Sequence, residues 1–576
     1  MSRWFALALL GVSQFVMVLD STVMNVSIST VAADLGTDIS GMQAAITFYA
    51  LTMAAFMLTG GKLGDRWGRV TAFRVGAIVY GLGSLATALS PNLTVLLLGW
   101  SLVEGLGAVL VIPAIAALAA ASYTGRDRVV AFSALGAITG VAAAAGPLIG
   151  GLVTTYSSWR YVFVAETVIM IVVLLLSGRL HDAPAQRGVR IDPLSVVLSA
   201  GGMALLVFGV LQSKVWGWVV PLDPPRIGDT VIAPFGISPV AYLLLAAVVV
   251  LWAFVNRQRR LESTGRAPLL KVSMLAIPAL RSGLTLFMAQ YFAIAALFFV
   301  VPVYLQTILG DDALETGLKI LPLSAGLIVF SIVGSKLATV HSARHIARLG
   351  QIALAAGLLF IVVAVQPTLA GGLFAVGMFV VGAGFGLLAS QLGNVNMSAV
   401  STEDTSEVGG LQGTFQNLGS SFGTAIVGSV FILLLTSGFT TAIQNSDDLP
   451  DDVRQQITAE TSTGAPIVSR QQAEDAVLAA GADADVAASV AQTYVDTQVT
   501  ALRQSLFFVF ALSVIALLLS RGLPATIAPQ PDAAPDTPAG SAATDAAPAD
   551  RVPPTGAGSG TTRSKSRPGR RPHRPS

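Results

Sequence analysis

Apolar stretches of about 17–25 residues recur along this chain, each long enough to cross the hydrocarbon of a bilayer as a helix. Fourteen are predicted, near residues 4–28, 41–60, 71–89, 93–121, 130–153, 161–177, 194–213, 239–255, 281–305, 316–337, 346–365, 370–397, 410–436 and 503–520. Hydrocarbon offers no partner to an exposed peptide group, so these segments must satisfy their backbones internally, and the expected fold class is an all-α membrane protein. With 53% hydrophobic and only 11% charged residues among 576, and a mean hydropathy of +0.72, the chain has too little polar surface for a soluble domain of this length. The first stretch lacks a small-residue cleavage site and is long enough to span, so it reads as a helix and not as a cleavable leader.

Orientation follows from Lys and Arg, which are retained on the cytoplasmic side. With the amino terminus inside, the cytoplasmic connections hold Lys62, Arg66, Arg69 and Arg74; Arg126 and Arg128; Arg179, Arg187 and Arg190; Arg257, Arg259, Arg260, Arg266 and Lys271; and Lys336, Arg344 and Arg348. The opposite connections carry Asp34 and Asp38, then Asp311, Asp312 and Glu315, then segment 437–500, which is rich in acids and has only Arg454 and Arg470. A multi-pass protein of the cell inner membrane with both termini cytoplasmic is expected. Segment 437–500 is too polar to span, and from Gln471 to Val499 alanine and valine alternate with acids and glutamines at helical spacing. It reads as an exterior helical cap, with an unstructured insertion as the alternative. Residues 522–576, rich in Pro, Ala, Asp, Gly and Ser, read as a disordered cytoplasmic tail. Its basic end, Arg563 to Arg574, either meets anionic lipid or is simply solvated.

Between the second and third stretches lies Gly61-Lys62-Leu63-Gly64-Asp65-Arg66-Trp67-Gly68-Arg69. Its three cations are costly in hydrocarbon, so a tight turn at one membrane face is expected. The run resembles the signature loop between the second and third helices of the major facilitator superfamily, Gly-x-Leu-small-Asp-Arg-x-Gly-Arg-basic, except that Val70 takes the last place. Gly334-Ser335-Lys336-Leu337-Ala338 with Arg344 holds the corresponding place in the second half, without the acid. The resemblance implies two six-helix bundles, residues 1–180 and 281–521, with the substrate site between them and two further helices within 190–256 bridging them. That arrangement is similar to the fourteen-span drug:proton antiporter branch. It also implies that Gly61, Asp65, Arg66, Gly68 and Arg69 form a conformational latch, Asp65 and Arg69 contacting the opposite half. Lys62 and Arg66 are equally explained as topology signals, but Asp65 is not, because acids do not aid retention.

Gly140 and Gly146-Pro147-Leu148-Ile149-Gly150-Gly151 in the fifth stretch resemble the family's antiporter motif, typical of exporters. Proline bends a helix and glycines allow close helix approach, so ordinary small-residue packing is the plainer alternative for Gly146, Pro147, Gly150 and Gly151. Leu19-Asp20-Ser21-Thr22-Val23-Met24-Asn25-Val26 resembles the branch's first-helix motif, which implies an acid in the outer half of the membrane. Asp20 is the first candidate for proton or cation binding, or else a carboxylate tying neighbouring Ser or Asn groups together. Glu104 stands about eleven residues into the fourth helix, near the midplane, and therefore at a depth different from that of Asp20. Ser101 replaces the arginine usual in that motif and leaves Glu104 without an obvious cationic partner. Glu166 is the third candidate for proton and substrate coupling, unless it pairs with Arg160 at the interface. Softer substrate-cavity candidates are Asn25, Gln290, Tyr291, Gln391, Asn394 and Gln416, which could orient a ligand or merely join helices.

No catalytic residue and no metal site is expected. His181, His341, His345 and His573 all fall in predicted loops or the tail, and no Gly-x-x-x-x-Gly-Lys-Ser/Thr loop occurs. The chain lacks cysteine, which excludes disulfides and thiolate ligands. The expected activity is export of amphipathic organic compounds in exchange for protons, with no cofactor, the proton gradient as energy source, membrane lipids as partners and no nucleic acid. A uniporter or a flippase for lipid-like molecules is the nearest alternative, and a membrane enzyme or receptor a more distant one.

Overall fold

Several of the helices begin where a polar side chain accepts from the first unpaired backbone N–H groups, so the short connections help to set those boundaries. A computed structural model describes residues 4–525, apart from 124, 181–190, 222–223, 228–229, 339, 401–404, 447–448, 450, 462–464, 480–481 and 524. The oxygen of Asp38 accepts from Gly41 N at 2.7 Å, that of Asn92 from Val95 N at 3.0 Å, and that of Asp192 from Ser195 N at 3.0 Å. Asp312 and Glu315 form a reciprocal capping box.

Fourteen described helices are long and apolar enough to span. In the first half these are α1 (Phe5–Val26), α2 (Ile39–Trp67), α3 (Arg69–Ala88), α4 (Leu93–Ala119), α5 (Gly125–Tyr156) and α6 (Arg160–Leu176). Then come α7 (Pro193–Trp216) and α8 (Pro239–Ser263), joined through a hairpin of two-residue strands, Arg226–Ile227 and Thr230–Val231. The second half is α9 (Pro278–Val303), α10 (Ala313–Leu337), α11 (Ala343–Ala364), α12 (Gly371–Ser398), α13 (Thr405–Gln444) and α14 (Ala484–Leu519).

The two halves meet along two seams, α2 against α13 and α5 against α10. On the first seam Gln43 Nε2 donates to Thr424 O at 2.9 Å and Ser421 Oγ to Thr47 O at 3.2 Å. Beside them α7 packs on both α2 and α13, with Met203 and Val207 against Leu51, Ala54 and Ala55. Gln306, in the π-turn that ends α9, crosses to the first half, donating to Val26 O at 2.6 Å and accepting from Ser29 Oγ.

Two sequence expectations are revised. Gly61–Arg69 is not a free turn, because α2 continues as helix through Trp67. At about 1.5 Å per residue its 29 residues reach well past 30 Å of hydrocarbon, so the charged end projects to the interface while remaining helical. Only Gly68, at φ 94°, breaks the helix, and that conformation is one side chains rarely adopt. The last helix is also longer than the expected 503–520: α14 starts at Ala484, because Val490, Tyr494 and Val495 bury themselves against the segment before it. Tyr494 stands edge-on to Phe439, 5.3 Å between ring centroids, and its hydroxyl donates to Pro466 O. Segment 437–500 is helical over Asp451–Thr461 and Arg470–Ala479 as well. Residues 526–576, where the disordered tail is expected, lie outside the described residues.

Candidate functional site

The three candidate acids, of which Asp20 and Glu104 were expected at different depths, come together. Asp20 of α1, Glu104 of α4 and Glu166 of α6 each offer a carboxylate oxygen, and these oxygens all lie within 4.8 Å of one another. All three residues are at most 1% exposed. Counting residues along each helix separately overestimated the difference in depth, because helix tilt and the reach of each side chain also set where a carboxylate lies.

Local sequence explains the convergence. Residues Leu97–Glu104 of α4 form a π-turn, an irregularity that re-aims side chains at its end. A Cβ on Gly83 of α3 would lie 2.4 Å from Glu104 N, and one on Gly107 of α4 would lie 2.4 Å from Tyr80 N. The two helices therefore touch backbone to backbone, and no larger residue fits at either crossing. This contact sets Glu104 beside Tyr80 and Ser84, whose hydroxyls donate to Glu166 Oε2 at 3.2 and 3.0 Å. Trp100 Nε1 donates to Asp20 Oδ1 at 2.9 Å and Oδ2 at 3.1 Å, and its ring stacks on Tyr49 at 4.8 Å.

Neither Glu104 oxygen, nor Glu166 Oε1, has a hydrogen bond of good geometry. Among the described residues no Lys, Arg or His forms an ion pair with any of the three. Glu166 does not pair with Arg160. That arginine binds Asp34 and donates to Ser90 O at 2.8 Å, at the helix end. Partial burial opposes ionisation of Asp34, but hydrogen bonds from Arg160 and Trp159 prevail and hold its carboxyl below the usual carboxylate range. Asp20, for its part, is held by an indole rather than by neighbouring Ser or Asn groups. Three like charges so placed repel by about 3.5 kcal/mol per pair at 4.8 Å and an effective dielectric of 20. The cluster is therefore unfavourable fully charged and is relieved by protons or by a cation.

At the signature loop, the described ion pair between halves is made by Lys62, whose Nζ lies 2.8 Å from Glu407 Oε1 on α13. Lys271, in the connection before α9, lies 3.5 Å from the same oxygen. Asp65 faces Arg69 at 3.9 Å within its own half, and Arg69 donates to Ala117 O at 3.3 Å. Arg66 is exposed, and a side chain at Gly61 would meet open space. Lys62 is thus more than a topology signal, and the sequence held no mark that Glu407 would be its partner.

The glycine-proline run lies at helix contacts on two sides. A Cβ on Gly146 would be 1.7 Å from Thr22 Oγ1, and one on Gly150 3.0 Å from Val23 Cα, so this face receives α1. A Cβ on Gly151 would be 2.5 Å from Ala313 O, and one on Gly317 2.4 Å from Pro147 O, so the other face receives α10 of the second half. The small residues let α5 be gripped between the halves.

The softer candidates are dispersed. Gln290 donates to Phe385 O at 3.2 Å and Gln391 to Gly334 O at 3.1 Å, each joining second-half helices. Asn25 donates to Ser21 O at 2.6 Å within α1, Tyr291 packs against Phe287, Asn394 is exposed and Gln416 half-buried. Among the described hydrogen bonds none links any two of these six. Sequence reading missed Tyr49, Tyr80, Ser84 and Trp100; the signal available was that a Tyr or Trp deep in a span needs a partner for its O–H or N–H.

The sequence profile described as Major Facilitator Superfamily matches residues 10–424. The chain is 27% identical over 471 residues to the "Probable actinorhodin transporter" of Streptomyces coelicolor, covering 79% of this chain and 77% of that protein. It is 28% identical over 429 residues to the "Tetracenomycin C resistance and export protein" of Streptomyces glaucescens, covering 74% and 75%. Among solved structures, a bacterial homolog of the human lysosomal transporter Spinster, inward-facing and unoccupied, superposes with a TM-score of 0.58 over 90% of this chain and 97% of that one, at 16% identity. That likeness concerns the fold alone. Profile, relatives and helices agree: the chain belongs to the Major Facilitator Superfamily, and its fourteen apolar helices fit that superfamily's fourteen-span branch.

Proposed function

We propose that the protein is a proton-coupled antiporter that exports amphipathic organic compounds across the inner membrane, with both termini in the cytoplasm. The observation that carries this reading is the buried cluster of Asp20, Glu104 and Glu166 without an ion-paired cation. Three carboxylates in so small a space change protonation together, and a site that gains a proton on one side of the membrane and loses it on the other is what coupling requires. The naming of one relative as a tetracenomycin C resistance and export protein supports the direction of transport. The small-residue contact of Gly151 and Gly317 between the halves supports an exchange of states in which α5 and α10 slide or separate.

In this cycle protons from outside neutralise the cluster and release substrate, and substrate from the cytoplasm or inner leaflet displaces the protons. The Lys62–Glu407 pair opens and closes at the cytoplasmic end. The test is uptake of dyes and antibiotics into inverted vesicles carrying the protein, with an imposed pH gradient. Accumulation that collapses with the gradient supports antiport. Transport of lipid-like molecules that ignores the gradient identifies a flippase or uniporter instead and refutes the coupling.

A further inference from the structure

A groove of about 330 Å³ lies between α1 and α6, and its walls are apolar. We propose that this groove seats one acyl chain of an anionic phospholipid, whose phosphate is held by Arg179.

Phe5, Ala8 and Val12 line it from α1 at helical spacing, and Val168, Val172 and Leu176 from α6. The seven or eight helical rises from Phe5 to Val12 and from Val168 to Leu176, at about 1.5 Å each, make it roughly 11–12 Å long, close to the hydrocarbon depth of one leaflet, about 15 Å. It opens laterally: Val12 is 45% exposed, Val168 55% and Val172 48%, so the bilayer and not an aqueous path reaches it. An apolar lining this complete selects a hydrocarbon chain, since a polar ligand would lose its hydration without finding a partner.

The end of the groove supplies the charge. Phe5 and Leu176 mark that end, and the exposed guanidinium of Arg179 stands 5.7 Å from the centroid of the Phe5 ring. Arg74 reaches the same end, its Nε donating to Ser177 Oγ at 3.0 Å and its Nη2 to Ser177 O at 2.9 Å. Among the described residues no acid pairs with Arg179. Two arginines at headgroup level above an open hydrocarbon slot are complementary to a lipid that carries net negative charge, and the positive-inside bias assigns it to the cytoplasmic leaflet.

The experiment is native mass spectrometry of the delipidated full chain with phosphatidylglycerol and phosphatidylcholine of identical acyl composition. The parent is expected to retain phosphatidylglycerol at least severalfold better than phosphatidylcholine. Arg179→Gln is expected to erase that preference while keeping weak binding of both lipids. Ala8→Phe and Val12→Phe, which fill the slot from its exposed α1 wall, are expected to lose both lipids, whereas Val248→Phe, on the exposed face of α8, is expected to lose neither. Thermal unfolding of each variant separates lost binding from lost fold. Equal retention of the two lipids by the parent, or unchanged phosphatidylglycerol binding in both filled variants, overturns the assignment. Lower export of long-chain compounds by the filled variants with lipid retention intact would mean that the groove takes part of a substrate, and overturns it equally.

Discussion

Alanine at Gly151 would act as a wedge between the halves. Its Cβ would lie 2.5 Å from Ala313 O and 2.9 Å from Leu314 Cα, both at the start of α10. Ordinary contact begins at 3.4 Å, so α5 and α10 must part by about 0.9 Å, and the atoms in the way are backbone that cannot swing aside. Overpacking of this kind typically costs about 1–3 kcal/mol. Because the strain exists only while the two helices touch, it weighs on the conformation described here and not on one in which they have separated. The ratio of closed to open forms is then expected to fall about 5- to 150-fold. Alanine itself favours helix over glycine, so any loss observed is steric. The chain has no cysteine, which makes a Ser29→Cys, Gln306→Cys pair a clean reporter of the contact between halves. Its crosslinking rate with a short bifunctional reagent reads the closed population. Gly201→Ala, where a Cβ meets open space, serves as the control. Equal crosslinking in the Gly151→Ala, Gly201→Ala and parent backgrounds would refute the idea that this contact governs the equilibrium.

Glu104→Gln keeps the shape of a protonated acid but cannot change charge, so exchange of substrate across vesicles should persist while gradient-driven accumulation drops at least tenfold; wild-type accumulation would remove Glu104 from the coupling group. Asp20→Asn should weaken export of cationic substrates more than neutral ones, measured on a matched pair of dyes, since only a cation feels the lost charge. Asp65→Asn should bind substrate normally yet cycle slowly, and a variant that binds poorly but exports all it binds would refute the latch. Lys62→Gln should lower thermal stability by no more than about 1 kcal/mol, the scale of a partly exposed pair. Its larger effect should be on crosslinking at the Glu407 end, which Lys271→Gln in addition should deepen. Asp192→Asn should loosen α7 from α8, because the Arg257 guanidinium at 2.6 Å, with help from Ser195, holds this carboxyl well below the ordinary carboxylate range. A depressed native value means that the stabilisation is complete above the unfolded value near pH 4 and drains as pH falls below it, so the Tm gap between parent and variant should be flat from pH 5 to 8 and shrink in acid.

The spans, their number and the family were legible in the sequence because a membrane helix must be apolar along its own length, which is a local property. Gly151 and Pro147 were likewise readable as packing residues, since a small side chain advertises close approach without naming the neighbour. What only the tertiary structure decided was partnership. Whether Glu166 meets Arg160 or Asp20, whether Lys62 meets a lipid or Glu407, and whether Gln290 faces a ligand or the Phe385 carbonyl depend on how tilted helices distant in sequence are turned toward each other. The π-turn that ends at Glu104 and the glycine crossings at Gly83 and Gly107 set that rotation, and neither follows from hydropathy. In a bilayer a buried charge or amide has no solvent to fall back on, so its partner is chosen by the whole packing of the bundle, while the helix that carries it is chosen by its own sequence alone.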